Sequence, residues 1–313
     1  MDKLPLVSVG VPTYNRPRTL RRTLDSLVNQ TYENLEIIVS DNCSTDSDVL
    51  NVINEFQDDP RIMFVVHPVN GGLSFNFNFL SAKATGEYFM WLADDDWLDI
   101  NYIESCVRFL LAHSNYSGAY GLAKMYTPQA EFLWFDAKIN MEQELGTARV
   151  TYYLQNVVNN GCFSALIPKK YINELVLDNK IAIDWMIISR LAMYGKYKML
   201  ENVNCHISGG GASATTESLV SNFNMPLFTR SFPYLSIALN VARDILWDSP
   251  AYNKLQFLGR IRLAKECFIL ICKRHNIKRE LKPGIKNYIV HLKSNTKALA
   301  KKILKRNRLA YKQ

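Results

Sequence analysis

Gly86-Glu-Tyr-Phe-Met-Trp-Leu-Ala-Asp-Asp-Asp-Trp-Leu-Asp99 carries a continuous apolar run, Tyr88 to Ala93, that breaks directly onto three carboxylates. An unbroken run of this kind reads as a strand buried on both faces. Asp94, Asp95 and Asp96 then fall at its carboxyl end, the edge of an open α/β sheet where ligands bind. Adjacent carboxylates repel one another, and a hard divalent cation shared with a phosphorylated substrate would hold them together. The competing interpretation is a solvated acidic turn ahead of the next helix, with Asp99 as that helix's N-cap.

Upstream, strand and helix alternate. Leu6 to Val11 reads as a strand ending at Pro12, Thr13-Tyr-Asn-Arg-Pro17 as a turn, and the residues from about Arg18 to Gln30 as a helix. Leu20, Leu24, Leu27 and Val28 form that helix's apolar stripe. Leu35 to Ser40 is a second strand running into Asp41, with Thr45 or Asp46 placed to cap a helix that ends near Phe56. Arg61 to Val66 is a third strand, Asn70-Gly-Gly72 a turn, and Ser74 to Ala84 a third helix. This alternation specifies a mostly parallel sheet flanked by helices. Neither GxGxxG nor GxxxxGK[ST] occurs, so no dinucleotide fingerprint or P-loop organises it.

Turns that follow parallel strands share one sheet edge, so Tyr14, Asp41 and Asp94 to Asp96 converge. An aromatic face can stack on a nucleobase, one carboxylate can accept a base N–H or ribose hydroxyl, and the acidic cluster can hold a metal on a diphosphate. Singly, Tyr14 could pack on the sheet rim and Asp41 could bond its own backbone; their convergence favours a nucleotide site.

The 313-residue chain carries a net charge of +8, unevenly spread. From Lys254 onward, 18 Lys and Arg face 2 acids, so everything before is net acidic. Six cysteines, Cys43, Cys106, Cys162, Cys205, Cys267 and Cys272, form no CxxC pair and sit mostly in apolar patterns, which points to reduced thiols in a cytoplasmic protein. The expected first strand leaves no room for a signal peptide, and no apolar stretch reaches the length of a membrane span.

Taken together, Val7-Ser-Val-Gly-Val-Pro-Thr-Tyr-Asn-Arg-Pro17, Asn29-Gln-Thr-Tyr32, Glu36-Ile-Ile-Val-Ser-Asp-Asn-Cys-Ser-Thr-Asp46, Asn70-Gly-Gly72, Ala84-Thr-Gly-Glu-Tyr88 and the acidic triplet resemble, in order and spacing, the nucleotide-sugar half of the family 2 glycosyltransferases. These are inverting enzymes of the GT-A fold, a Rossmann-like, mostly parallel sheet flanked by helices. The resemblance implies a donor site built from Pro12, Thr13, Tyr14, Asn15, Arg16, Asp41, Asn42, Asn70, Gly72, Asn76, Asp94 and Asp95. In it Tyr14 flanks the base, Asp41 binds the base, and Asp96 ligates Mn2+ or Mg2+, with Asp94 facing the ribose or the metal's waters. Many members carry an Arg in the helix after the Gly-rich turn; Asn76 and Asn78 stand there instead, as in a subset that builds surface polysaccharides.

The second half is expected to bind the acceptor. Asn101 to Leu111 reads as an amphipathic helix, Ser117 to Met125 and Glu131 to Phe135 as strands, Val150 to Val157 as a helix, Gly161 to Ile167 as a strand, and Tyr197 to Leu200 as another. Asp184 is the only acid in the apolar stretch Ile181 to Met193. A carboxylate there should have a raised pKa suited to a general base, or else serve as an N-cap. It matches the family's acidic position for the base that deprotonates the acceptor hydroxyl. Asn204 to Thr216 reads as a small-residue loop able to cover a phosphate, a lid. Within it His206 is a candidate metal or diphosphate contact, with a neutral structural His as the alternative.

Beyond Leu219 the sequence turns helical. Ile285, Ile289, Leu292, Leu299 and Ile303 make one apolar stripe among lysines and arginines, a pattern suited to an anionic membrane surface. No nucleic-acid module accompanies it. The sequence thus predicts a GT-A domain over residues 1–218, with a nucleotide-sugar half at 1–100 and an acceptor half at 101–218, followed by a basic helical region at 219–313. The expected activity is metal-dependent transfer from a nucleoside-diphosphate sugar to a glycan, lipid-linked at the inner face of the plasma membrane. A sugar-phosphate nucleotidyltransferase is a rival, but Thr13-Tyr14-Asn15 is not the Gly-rich, basic loop that grips a triphosphate. A non-catalytic, membrane-peripheral nucleotide-binding module is the other.

Overall fold

The computed structural model describes residues 4–174, 176–209 and 225–289. Its first layer is a sheet built from β1 (Val7–Thr13), α1 (Pro17–Val28), β2 (Leu35–Asp41), α2 (Asp48–Phe56), β3 (Ile62–Val66), α3 (Leu73–Lys83) and β4 (Tyr88–Trp91). The strands lie in the order β3-β2-β1-β4, all parallel. Every residue of β1 is buried, because helices cover both faces of a parallel sheet. Leu20, Leu24 and Leu27 of α1 pack with Val7, Val9 and Val11 on one face, while Ile38, Leu80 and Phe89 belong to the core on the other.

β1 continues through Pro12 to Thr13 instead of stopping at the proline. Gly10 accepts from Leu92 N–H on the β4 side, so by alternation Pro12 also faces β4. There β4 has already left the ladder after Trp91, and the missing N–H of Pro12 has no partner to lose. The second helix begins at Asp48 behind Ser47, with Asp46 accepting from the Asp48 N–H.

β5 (Trp97–Leu98), α4 (Tyr102–Ala112), β6 (Tyr116–Tyr126), β7 (Phe132–Phe135), α5 (Gly146–Asn156), β8 (Ile167–Pro168), α6 (Ile183–Tyr194) and β9 (Lys196–Ser208) follow. β8 adds antiparallel to β4, and a second sheet runs β5-β9-β6-β7. Three expectations change here. Residues 161–167 are not one strand: Gly161–Ser164 is a 3-10 turn, Leu166 makes a single antiparallel bridge to Ala119, and the short strand Ile167–Pro168 pairs with β4. Asn204 to Ser208 is no loop but the end of β9, paired with β6. Asp99 does not cap α4, whose N-cap is Asn101; its carboxylate instead accepts from the Asn204 backbone and side chain.

α7 (Leu227–Ser231), α8 (Pro233–Arg243) and α9 (Phe257–Arg274) follow, and residues 277–289 are also helical. Ile237, Val241, Leu263 and Cys267 share one core with Tyr153 of α5 and Met186 of α6, so this region contributes core as well as surface. Glu280 accepts from the Tyr234 and Leu235 N–H groups at the start of α8. Leu281, Ile285 and Ile289 are exposed. The rest of the basic stripe, from Leu292, and the lid residues 210–216 lie outside the described residues. No described helix is long and apolar enough to cross a membrane.

Candidate active site

The chain builds β1, β2 and β3 outward in one direction and then returns to place β4 on the other side of β1. A crevice opens where the order reverses, beyond the carboxyl ends of β1 and β4. Thr13 and the acidic triplet face each other across it: the Thr13 hydroxyl donates to Asp94 Oδ2 at 2.7 Å. Arg16, just ahead of α1, sets Nη1 3.1 Å from Asp94 and 2.9 Å from Asp95. The loop's main chain is held from the same helix, by Arg22 donating to the Asp95 carbonyl and Thr23 to that of Asp96. The Arg22 guanidinium lies 3.7 Å above the Trp97 ring. From the second sheet, the Ser208 N–H donates to Asp96 Oδ1 at 3.0 Å.

All three acids are buried, at 5–7% exposure. Burial pushes the Asp94 carboxyl up to about 6 against the pull of Arg16. Burial and its acidic neighbours drive Asp96 well above the usual carboxylate range, and burial raises Asp95 too. Burial would lower Arg16, but Asp94 and Asp95 outweigh it and hold the guanidinium charged. Arg16 is the one cation that bonds these carboxylate side chains among the described residues, so three buried carboxyls share a single guanidinium and their ionised forms are disfavoured. No group of three or more described His, Cys, Asp or Glu side chains is arranged as a metal cage. Two carboxylates with the remaining ligands drawn from diphosphate and water is the arrangement Mg2+ favours, and Mn2+ accepts the same oxygens; the donor set fits either ion.

At the carboxyl end of β2, Asp41 accepts from the Ser44 N–H at 3.1 Å and hydroxyl at 2.5 Å. Asn42 donates to Asn70 Oδ1 at 3.0 Å and the Gly72 carbonyl at 3.1 Å, and accepts from the Gly71 N–H, closing the Asn70-Gly71-Gly72 turn onto the strand. Gly72 stands at φ 84°, where a side chain would be strained. Asn76 donates to the Ser40 carbonyl, and its own Oδ1 is buried without a partner. Asn15 accepts from the Thr45 and Asp46 N–H groups and so ties the β1 turn to the β2 turn. Tyr14 is 42% exposed beside them. Pro12, Thr13, Tyr14, Asn15, Arg16, Asp41, Asn42, Asn70, Gly72, Asn76 and the triplet thus occupy one connected edge.

Asp184 is positioned by a different set of contacts. α6 starts behind Ala182, which is held at φ 58°, and Asp184 lies in its first turn rather than at the cap. Although partly exposed, the carboxyl is crowded enough that burial raises its pKa. Asn160 Nδ2 donates to its Oδ2 at 2.7 Å. Asn160 stands at φ 56° in a turn clamped by Asp136, which accepts from the Asn159 N–H at 3.2 Å and the Gly161 N–H at 2.8 Å. A Cβ on Gly161 would lie 2.3 Å from that of Ala123, so only glycine fits against β6. Two residues on, Phe163 stacks on Trp91 at 5.4 Å, the last residue of β4 before the acidic loop.

His206 lies on β9, stacked 5.0 Å from Trp97. Its Nε2 bonds the Asp99 carboxylate at 2.8 Å and its Nδ1 the Tyr126 hydroxyl at 2.9 Å. A carboxylate only accepts, so Nε2 carries the proton and Nδ1 receives the tyrosine's. Burial lowers the ring's pKa, with Asp99 opposing. Neither nitrogen is free for a cation in this arrangement, and His206 supports the loop instead. Sequence reasoning passed over Asn160, Asp136 and Arg22. Only the Asn-Gly pair at 160–161, a turn signal, marks any of them.

The family model described as Glycosyl transferase family 2 matches residues 8–175. The chain is 28% identical over 223 residues to WcaA of Escherichia coli K12, named for colanic acid biosynthesis glycosyl transfer, covering 69% of this chain and 77% of that protein. It is 26% identical over 206 residues to the hyaluronan synthase of Pasteurella multocida, covering 65% of this chain but 20% of that one. Among solved structures, Staphylococcus aureus TarS 1-349 in complex with UDP-GlcNAc aligns with a TM-score of 0.60 at 18% identity, over 86% of this chain and 73% of that one. The last likeness is one of fold.

Proposed function

The chain belongs to glycosyl transferase family 2, and from that premise we propose a metal-dependent, inverting transfer of a sugar from a nucleoside-diphosphate donor to a glycan hydroxyl. Asp184 takes the acceptor proton as the new bond to the anomeric carbon forms, and the bond to the diphosphate oxygen breaks on the opposite face. The nucleoside diphosphate leaves with the electron pair. The observation that carries this reading is the burial of Asp94, Asp95 and Asp96 together in the crevice with a single guanidinium upon them, an arrangement that disfavours their ionised forms until a further cation is bound. Mn2+ or Mg2+ held by Asp96 and Asp94 would neutralise charge that grows on the departing diphosphate. Arg16 would give up its place on Asp94 and turn to the donor phosphates. Tyr14 and Asp41 would meet the base, with Asn42, Asn70, Gly72 and Asn76 shaping its pocket.

Residues 1–218 would then be the catalytic domain, divided near residue 100 between donor and acceptor. The acceptor is a glycan of cell-surface polysaccharide synthesis, carried on a lipid at the inner face of the plasma membrane. Leu281, Ile285 and Ile289, exposed between Lys278, Lys282 and Lys286, support contact with that anionic surface. If Glu at those three lysines leaves binding to phosphatidylglycerol vesicles unchanged in the full chain, the membrane role fails. The activity is tested by incubating the protein with UDP-, CDP-, GDP- and dTDP-sugars and a membrane lipid extract. One nucleotide should be released only with Mn2+ or Mg2+, and the product linkage should have inverted anomeric configuration. Release that persists in chelator, or retained configuration, would overturn the reading.

A further inference from the structure

We propose that Asn160 is the positioning residue for Asp184, locked in its working orientation by Tyr153 and Cys162; the inference rests on the reading of Asp184 as the base. Asn160 has its two amide ends assigned by opposite partners. Its Oδ1 accepts from the Tyr153 hydroxyl at 2.8 Å and from the Cys162 thiol at 3.0 Å. Its Nδ2 donates to Asp184 at 2.7 Å. The carboxylate can only accept, so the amide that faces it must present N–H; the two donors on the far side keep the amide from turning over. A turned amide would set two acceptors against each other beside a buried charge.

The backbone is committed to the same end. Asn160 lies in the left-handed region, which asparagine tolerates better than most residues, and Asp136 pins the peptides on both sides of it. Strain of this kind persists where the surroundings over-determine it. The groups that face Asp184 are few. Tyr153 of α5 and Cys162 of the 161–164 turn are both held neutral by burial. Asp136 lies behind the turn, and Arg274 and His275 at the end of α9 approach the neighbouring Trp185 ring. Among the described residues Asn160 is thus the side chain that donates to this carboxylate, beside the backbone N–H groups of Asp184 and Trp185. Burial pushes Asp184 up and the amide pulls it back. The amide, together with the backbone N–H groups of Asp184 and Trp185, therefore favours the ionised carboxylate against burial.

The test is the titration of Asp184 in the full chain labelled with 13C at aspartate carboxyls, the signal being identified by its loss in Asp184→Asn. Asn160→Gly deletes the amide and keeps a residue at ease in the left-handed region; Tyr153→Phe leaves Asn160 in place and releases its lock. Deleting the donor should make the Asp184 carboxyl titrate at higher pH in Asn160→Gly and, by less, in Tyr153→Phe. The acid limb of the kcat profile should move the same way, with kcat at pH 7 about tenfold lower in Asn160→Gly and the donor KM unchanged. If Asp184 titrates as in the wild type in both folded variants, the positioning role is overturned. Should Asn160→Gly not fold, Tyr153→Phe decides alone. A shifted titration with unchanged turnover would uphold Asn160 as the partner of Asp184 and remove Asp184 as the base.

Discussion

The first half and the second half of the molecule are assembled by opposite kinds of contact. In residues 7–91 each strand–helix unit lies against the next: β1 pairs β2, β2 pairs β3, and only β4 returns across the sheet. In the second half the partners are distant. β6 pairs with β9, joining Tyr126 to His206, 80 residues apart, and Asp184 is held by Asn160, itself fixed by Asp136. The lesson is that the acidic loop takes its place from the strand it ends, with Thr13, Arg16 and the Ser208 N–H bonding its carboxylates, whereas Asp184 takes its place from a turn that Asp136 clamps.

The strongest way to break that contrast is to remove each half's carboxylate. Asp184→Asn should lower kcat by roughly a hundred- to ten-thousandfold, the range for a general base, with nucleotide affinity unchanged. Initial rates and nucleotide titration on the same preparation check it; near-full activity would end the role of Asp184.

Stability offers the next test. Arg190 of α6 and Asp244 after α8 form a buried ion pair, Nε 3.0 Å from Oδ2, whereas Arg21 and Glu55 of the first half pair on the surface between α1 and α2. Asp244→Ala strands a buried guanidinium and should cost about 3–5 kcal/mol in urea unfolding. Glu55→Ala should produce no measurable change. Similar losses from both would mean that the halves are not held differently.

Asp94 gives a smaller effect with a defined sign. Its folded carboxyl titrates at about 6, above its ordinary 3.8, so the metal-free folded state prefers the protonated form. That contribution is fully present below the unfolded value and is lost as pH rises through about 6. Asp94→Asn should therefore stabilise the metal-free protein by roughly 3 kcal/mol at pH 8 and by little at pH 4. Thermal melts across that range, with chelator, read the difference; a gap that does not close on acidification would contradict the burial account. Smallest of all, His206→Asn should cost about 1 kcal/mol, one hydrogen bond's worth, and leave metal-dependent nucleotide affinity within about twofold. A larger loss of affinity would restore His206 as a ligand.

The same contrast governs what the sequence disclosed. The first sheet and its edge were legible, because a buried strand reads as an apolar run and its turn follows at once. β9 was cut short, since Gly209-Gly210-Gly211 draws the eye to a loop. Val203 and Cys205 are buried while Asn204 and His206 are less so, an alternation that marks the strand. The 161–164 turn looked like a strand because its reason, the Asp136 clamp, lies 25 residues upstream. Asp99 looked like a cap because Asn204 and His206, its actual partners, lie more than 100 residues downstream.

The central claim is that the loop after β4 holds a cation for a nucleoside diphosphate. Calorimetric titration with UDP, CDP, GDP and dTDP, each with Mn2+ and with chelator, on wild type and Asp96→Ala, tests it most directly. One nucleotide should bind with metal, and chelator or the substitution should abolish binding. Equal binding with and without metal, or binding that survives Asp96→Ala, would contradict it.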